Sequence, residues 1–362
     1  MTKPRVGLLA RDPIRFNMEA FVYNLGRMTG EEFQFDLIVG PVSDFRDGLL
    51  SLVDVYRADV HSEHMSGLRY GFQAMRQYLN ERSPDLIVNV AQPFPLGVAV
   101  VVLGRWYRVP SLLRITGDFL NEVSMYDTLL GKARRYIVHN LTLAQVYRLA
   151  NRIVAIGPNL AEGLVHAGFP KRKVHALYQP FDARRFSPIS EEKQPALKEE
   201  LGLDPARKTI LFVGRFTWGK GADRLADIVE QVLRQSDKFQ FCLVGNGPYR
   251  EVFAKYSEGV IAPGFVPREE VHRYFQAANL LVHPSRNEGC PHVVLEALSC
   301  GIPVIASSVG EMDNLITMLT DEPEEYVGWI LAEEWARDRL PKSLDWERQS
   351  EQYKALLSEA SK

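Results

Sequence analysis

The chain alternates short apolar runs with stretches whose apolar residues recur every three to four positions, and this alternation starts twice. In the first half, runs at 6–10, 35–39, 86–90, 111–116 and 152–156 read as buried strands. A long helix over 68–81 lies between the second and third of them, and a shorter one over 20–27 follows the first. In the second half, runs at 209–216, 240–244, 260–265, 279–283 and 303–307 repeat the arrangement, with a helix over 222–233. Strands separated by helices predict a parallel sheet covered on both faces. Between the two series, 177–207 loses its periodicity and carries Pro180, Pro188, Pro195 and Pro205, which reads as a linker. The fold class is therefore α/β with two Rossmann-like domains, at 1–180 and 208–340, joined by a linker at 181–207 and followed by a C-terminal helical segment at 341–362.

Composition changes this picture little. At 362 residues the chain has material for two cores, and 46% hydrophobic with 24% charged residues is ordinary for a globular protein. No apolar run approaches the ~20 residues that cross a bilayer, and no apolar leader core follows Met1. Cys242, Cys290 and Cys300 lack metal-ligand spacing, so a reduced, cytoplasmic protein is expected. Residues 1–180 carry 21 Lys/Arg against 16 Asp/Glu, the remainder 22 against 29, and nucleic acid is not an expected partner. Within 101–180 there are 11 basic residues against 4 acidic ones. Lys132, Arg134 and Arg135 open a helical stretch at 131–150 with two readings. It is a basic face in peripheral contact with anionic lipid or an anionic acceptor, or an ordinary helix solvated on its basic side.

The chemistry concentrates in 281–314, LVHPSRNEGCPHVVLEALSCGIPVIASSVGEMDN. A strand ends in a polar turn with Glu288 and Gly289, and a helix carrying Glu296 follows. Cys290, Pro291, His292 and Val293 lead into that helix, whose first unpaired backbone N–H groups suit an anionic phosphate. An acid ahead of the helix can accept from sugar hydroxyls, and an acid inside it can grip a ribose diol. A second constellation follows the first strand of the second series. There Gly214-Arg215-Phe216 and Lys220-Gly221 put two cations at a strand-to-helix turn, Arg215 suited to bidentate phosphate contact and Lys220 to a mobile point charge.

The block E-G-x-x-x-V-x-L-E-A-L-x-x-G-I-P-V-I-A resembles the donor-site signature of retaining GT-B glycosyltransferases, the family that includes bacterial mannosyl- and glucosyltransferases and sucrose synthase-like enzymes. The resemblance implies two facing Rossmann-like domains with a deep cleft between them, and a final helix, 345–359, returning to the first domain. It implies transfer of a hexose-type sugar from a UDP- or GDP-sugar to a glycan, lipid-linked or small-molecule acceptor, with retention and with no metal or other cofactor. Arg215 and Lys220 would then hold the diphosphate as the leaving group, with Glu288 meeting the sugar and Glu296 the ribose. Gly245-Asn246-Gly247 resembles the loop that approaches the nucleoside, and Val266, after Gly264-Phe265, would lie near the base.

The first domain departs from the family pattern. Where a Gly-Gly loop is usual, the chain has 15–19, RFNME, so Arg15 and Asn17 become the acceptor-side candidates. Where His-Asp is usual it has Gly117-Asp118, leaving Asp118 as an electrostatic candidate in the catalytic set or a helix cap. In the second domain Asn314 replaces an acid, and Gln179-Pro180-Phe181-Asp182 stands at the hinge. Two other functions share the nucleotide pocket. A sugar-nucleotide epimerase or hydrolase would need acid/base partners in the first domain, where His61 and His64 are the nearby histidine pair. A non-catalytic nucleotide-sugar-binding subunit is compatible with the missing glycines and histidine.

Overall fold

The computed structural model describes residues 2–14, 16–45, 48–61, 65–90, 93–117 and 144–362. These fall into two compact units, one of Met1–Phe181 with Ser343–Lys362, the other of Asp182–Lys342. The first is built on a seven-stranded, all-parallel sheet of β1 (Arg5–Leu9), β2 (Gln34–Val39), β3 (Asp54–Arg57), β4 (Leu86–Asn89), β5 (Ser111–Ile115), β6 (Arg152–Ala155) and β7 (Val174–Ala176). Its order is β3-β2-β1-β4-β5-β6-β7. Helices α1 (Phe16–Thr29), α2 (Gly67–Glu81), α3 (Val98–Tyr107), α4 (Ala144–Arg148) and α5 (Pro158–His166) connect the strands.

Alternate residues of one strand serve opposite faces of this sheet. Val6, Leu8 and Ala10 pack with Phe35, Leu37 and Leu86 on one side, while Leu9 packs with Ile38 and Ile87 on the other. The second side is covered by Tyr70, Ala74 and Tyr78 of α2 and Ala99, Val100 and Leu103 of α3. The first is covered by Phe21, Val22, Leu25 and Met28 of α1 together with Tyr353, Leu356, Leu357 and Ala360 of the terminal helix.

The second unit has a five-stranded parallel sheet of β8 (Lys208–Val213), β9 (Phe239–Val244), β10 (Val260–Gly264), β11 (Leu280–His283) and β12 (Val304–Ala306), in the order β10-β9-β8-β11-β12. Its helices are α6 (Gln194–Glu200), α7 (Ala222–Gln235), α8 (Arg268–Ala277), α9 (His292–Ser299) and α10 (Pro323–Ala332), and α11 (Trp346–Ala360) closes the chain in the first unit. Leu225, Ile228, Val229 and Val232 of α7 and Tyr326, Val327 and Ile330 of α10 pack on Ile210, Phe212, Phe241, Leu243 and Val282 of the sheet. Among the described residues no helix is long and apolar enough to cross a membrane.

Two readings of the sequence need correction, and two strands were not expected. Residues 182–207 belong to the second unit, and 194–200 within the expected linker is helical. That helix buries little beyond Lys198, whose ammonium donates to the Arg207 carbonyl at 2.8 Å and to Asn279 Oδ1 at 3.0 Å, so no apolar stripe marks it. Asn17 lies inside α1, which starts at Phe16 rather than after a loop. Strands β3 and β7 carried no expectation because both are short edges with little buried surface. Of the stretch 131–150, residues 144–150 are described.

Candidate active site

In the second sheet the chain runs outward from β8 through β9 to β10, then returns to place β11 and β12 on the other side of β8. The order therefore reverses between β8 and β11, and open α/β sheets bind ligands outside the carboxyl ends of the strands at such a point. The loops there are 214–221 after β8 and 284–291 after β11, and they carry Arg215, Lys220 and Glu288.

These two loops are bolted together. Gly221 has φ of 68°, and a Cβ there would lie 1.9 Å from the Pro284 carbonyl oxygen, so the close approach excludes a side chain. Arg286 forks onto Asp223 at 2.6 and 2.7 Å, donates to the Trp218 carbonyl at 2.9 Å and stacks 4.5 Å from the Trp218 ring centre. Its backbone N–H and the Ser285 hydroxyl both donate to the Gly219 carbonyl, at 3.0 and 3.1 Å. Burial raises the Asp223 carboxyl, but the Arg286 hydrogen bonds and charge outweigh it, and the net shift is downward.

Across this joint Lys220 Nζ pairs with Glu288 Oε1. The same oxygen accepts from His283 Nε2 at 2.9 Å. Burial pushes the Glu288 carboxyl up; the hydrogen bond and electrostatic pull of His283, then those of Lys220, overcome it and hold it at about 2. Glu288 is therefore an acceptor-only carboxylate, and His283 must carry its proton on Nε2. The Arg215 side chain is exposed and makes no hydrogen bond or ion pair among the described residues, while its carbonyl accepts from Thr217 N–H at 2.9 Å. Phe216 beside it is fully buried. The apolar run thus extends into the loop, which is why sequence alone carries β8 as far as 216.

Helix α9 begins at His292 with Pro291 as its N-cap and no side-chain cap. Gly289 precedes it half-buried, Cys290 is buried, and His292 and Val293 are half-buried in its first turn. Glu296 sits in the next turn, 7% exposed, without a side-chain hydrogen bond among the described residues. Burial pushes its carboxyl up to about 7 against the opposing pull of Arg268 and Arg185. A buried carboxylate without a donor is costly, and such a group is suited to accept hydrogen bonds from an incoming ligand.

The remaining donor-side candidates lie in three adjacent loops, after β8, β9 and β10. Gly214 N–H donates to the Val244 carbonyl at 3.0 Å, Phe216 N–H to the Asn246 carbonyl at 2.9 Å, and Gly245 N–H to the Gly264 carbonyl at 2.8 Å. A Cβ on Gly245, at φ 135°, would fall 1.9 Å from the Gly214 carbonyl oxygen. These glycines thus let loops 214–216 and 245–247 touch, whatever else they do. Asn246 Oδ1 is taken up by the Gly247 N–H at 2.9 Å, Phe265 is 82% exposed and Val266 is half-buried beside it.

Arg15 and Asp118 lie outside the described residues, as do His64 and the Asn17 side chain. Asp182 caps a turn by accepting from Arg184 N–H at 3.2 Å and pairs with the Arg184 side chain at 2.7 Å. Asn314 Nδ2 donates to Glu311 Oε2 at 3.1 Å. Sequence reasoning gave no separate role to His283, Arg286, Asp223 or Glu311. Arg286 and Asp223 lie 63 positions apart and carry no local signal, whereas His283 was visible as a polar residue closing an apolar strand.

Two family models match the chain: "Glycosyltransferase Family 4" over residues 18–185 and "Glycosyl transferases group 1" over residues 193–358. This chain belongs to the group 1 glycosyltransferases. The putative teichuronic acid biosynthesis glycosyltransferase TuaC of Bacillus subtilis is 31% identical over 233 residues, 64% of this chain and 55% of that protein. A GDP-mannose-dependent alpha-mannosyltransferase of Corynebacterium glutamicum is 26% identical over 275 residues, 74% of this chain and 60% of that one. The matches thus span little more than half the length of these relatives. Among solved structures, Anabaena HepE with UDP and glucose superposes with a TM-score of 0.70 at 16% identity, covering 99% of this chain and 95% of that one. Sucrose-phosphate synthase of Thermosynechococcus elongatus gives 0.73 at 18% identity, covering 99% and 96%. The fold of this group 1 glycosyltransferase is GT-B.

Proposed function

We propose that this protein moves a hexose-type sugar from a UDP- or GDP-sugar to a glycan, lipid-linked or small-molecule acceptor, with retention of anomeric configuration and without a metal ion. The carrying observation is the pairing of Lys220 with Glu288 where the strand order reverses, with Arg215 exposed in the same loop as Lys220 and, in the adjoining helix, a buried Glu296 without a side-chain donor among the described residues. As the bond from the anomeric carbon to the diphosphate breaks, negative charge grows on the leaving group. Arg215 and Lys220 bind that charge better than the ground state, which lowers the barrier. Glu288, ionised by its neighbours, accepts from a sugar hydroxyl and orients the ring; Glu296 accepts from the ribose diol. HepE bound to UDP and glucose and a GDP-mannose-dependent relative support a nucleotide-sugar donor and leave the base to two arms of one test. The reading makes the protein cytoplasmic, in peripheral contact with the inner face of a membrane where the acceptor is lipid-linked.

The test is nucleotide release from UDP- and GDP-sugars with and without acceptor, followed by the anomeric configuration of the product. Acceptor-dependent release with retention is the expected outcome. Interconverted donor sugars would indicate an epimerase, and binding without turnover a non-catalytic subunit. Two cations already serve the diphosphate, and a divalent ion would compete with Lys220 for it. Turnover should therefore survive excess EDTA; complete loss restored by magnesium or manganese would overturn metal independence.

A further inference from the structure

Lys220 and His283 both end on one oxygen of Glu288, but they are fixed very differently. Lys220 reaches it on a flexible four-carbon stem from a half-exposed loop. His283 is the last residue of β11, in register with Ala306 of β12, 2% exposed, and its carbonyl accepts from Ser307 N–H at 3.1 Å. Its Nδ1 is buried and has no partner among the described residues, so Glu288 is the single anchor of the ring. Oε2 of Glu288 makes no hydrogen bond among the described residues, which leaves it open to a ligand.

On the proposed sugar-transfer reading Lys220 cannot stay where it is, because the diphosphate needs its charge. Once it turns away, the carboxylate loses one of two contacts in a site that is nine-tenths shielded from water on the Glu288 side. Without a second holder Glu288 would swing or take up a proton, and a protonated or misaligned acid cannot accept from the sugar.

We propose that His283 is a positioning residue for the transfer reaction: its Nε2–H holds Oε1 of Glu288 while Lys220 moves to the donor diphosphate, keeping Oε2 turned to the donor sugar. The inference rests on the function proposed above. A buried histidine closing a strand is then a part of the site, acting through the acid five positions later.

The experiment compares the parent with His283→Phe, which keeps an apolar ring and removes the donor, and His283→Gln, whose amide nitrogen reaches the Nε2 position. Turnover is read as nucleotide release from UDP-glucose and GDP-mannose, with water or an alkyl glycoside accepting, as kcat, KM and the acid limb of the kcat–pH profile. His283→Phe should lower kcat by about ten- to a hundredfold, the range for loss of one hydrogen bond to a charged group. Its acid limb should move to higher pH, while UDP and GDP bind within about twofold of the parent, because Glu288 does not touch the nucleotide. His283→Gln should restore both the rate and the acid limb. If the Phe variant fails to fold, His283→Asn, whose amide is too short to reach Glu288, takes its place with the same expectation. Parental kcat and acid limb in the donor-less variant, or equal damage from Gln and Phe, would overturn the role of His283 alone. A parent that turns over neither donor would remove the proposal together with the function beneath it.

Discussion

Replacing Glu296 by glutamine should make the ligand-free protein more stable and its nucleotide complex weaker. The carboxyl is buried without a side-chain donor among the described residues, and its folded-state value is pushed from 4.5 to about 7. At pH values between these, the folded protein still holds a proton that the unfolded chain has released. Stability therefore falls as pH rises through that window and is flat above about 7. A shift of this size corresponds to roughly 3 kcal/mol at one pKa unit per 1.36 kcal/mol. At pH 8, Glu296→Gln should recover up to that amount, a rise of several degrees in melting temperature, or about 2–4 °C per kcal/mol for a unit of this size. At pH 5 the parent is already protonated, and the gain should nearly vanish. Nucleotide affinity should move the other way, by about 1.5–3 kcal/mol, or roughly ten- to a hundredfold, if a ribose diol bonds the carboxylate. Calorimetry of UDP and GDP binding near pH 7 in two buffers of different ionisation enthalpy should also register proton release by the parent and none by the variant. A variant that melts no higher than the parent at pH 8, or equally higher at pH 5, would refute this account of Glu296 as a strained, ligand-awaiting acid.

Arg215→Ala should lower turnover by the equivalent of about 2–4 kcal/mol with little change in melting temperature, since the side chain is exposed and unengaged among the described residues; steady-state kinetics beside a thermal melt checks both halves. Glu288→Gln should abolish most turnover yet leave UDP and GDP affinity equal or tighter, because it frees Lys220 for the diphosphate; weaker nucleotide binding would mean that Lys220 needs its partner to be placed. The same acid, held at about 2, contributes stability that is complete above about pH 4.5 and lost as pH falls toward 2, so the parent's acid destabilisation over that range should be shallower in Glu288→Gln.

How much of this was legible in the sequence depends on whether a residue's role is local. The apolar runs at 6–10, 35–39 and 240–244 fall on β1, β2 and β9 within a residue, because strands buried on both faces leave continuous apolar runs. Edge strand β3, with exposed Asp54 and Arg57 at its ends, and helix α6, which buries a lysine, leave no such trace. At the site, Arg215, Lys220 and Glu288 stood out because strand-to-helix turns place them, and Glu296 because it lies in the helix that follows. That Lys220 and Glu288 would be paired, and that His283 would share the same oxygen, depends on β8 and β11 being neighbours. Such a fact is set by sheet order and not by spacing along the chain.

The placement of helix α11 also sets an order of events during synthesis. The second unit is one continuous segment, Asp182–Lys342, whereas the first is interrupted by it and finished by Ser343–Lys362. Phe21, Val22, Leu25 and Met28 of α1 emerge early but wait for Tyr353, Leu356 and Leu357 to cover them. At about 5–20 residues per second, translating the intervening unit takes on the order of ten to thirty seconds. Throughout that interval the part made first carries an apolar strip open to water and to neighbouring chains, and the part made second is the one able to finish folding first.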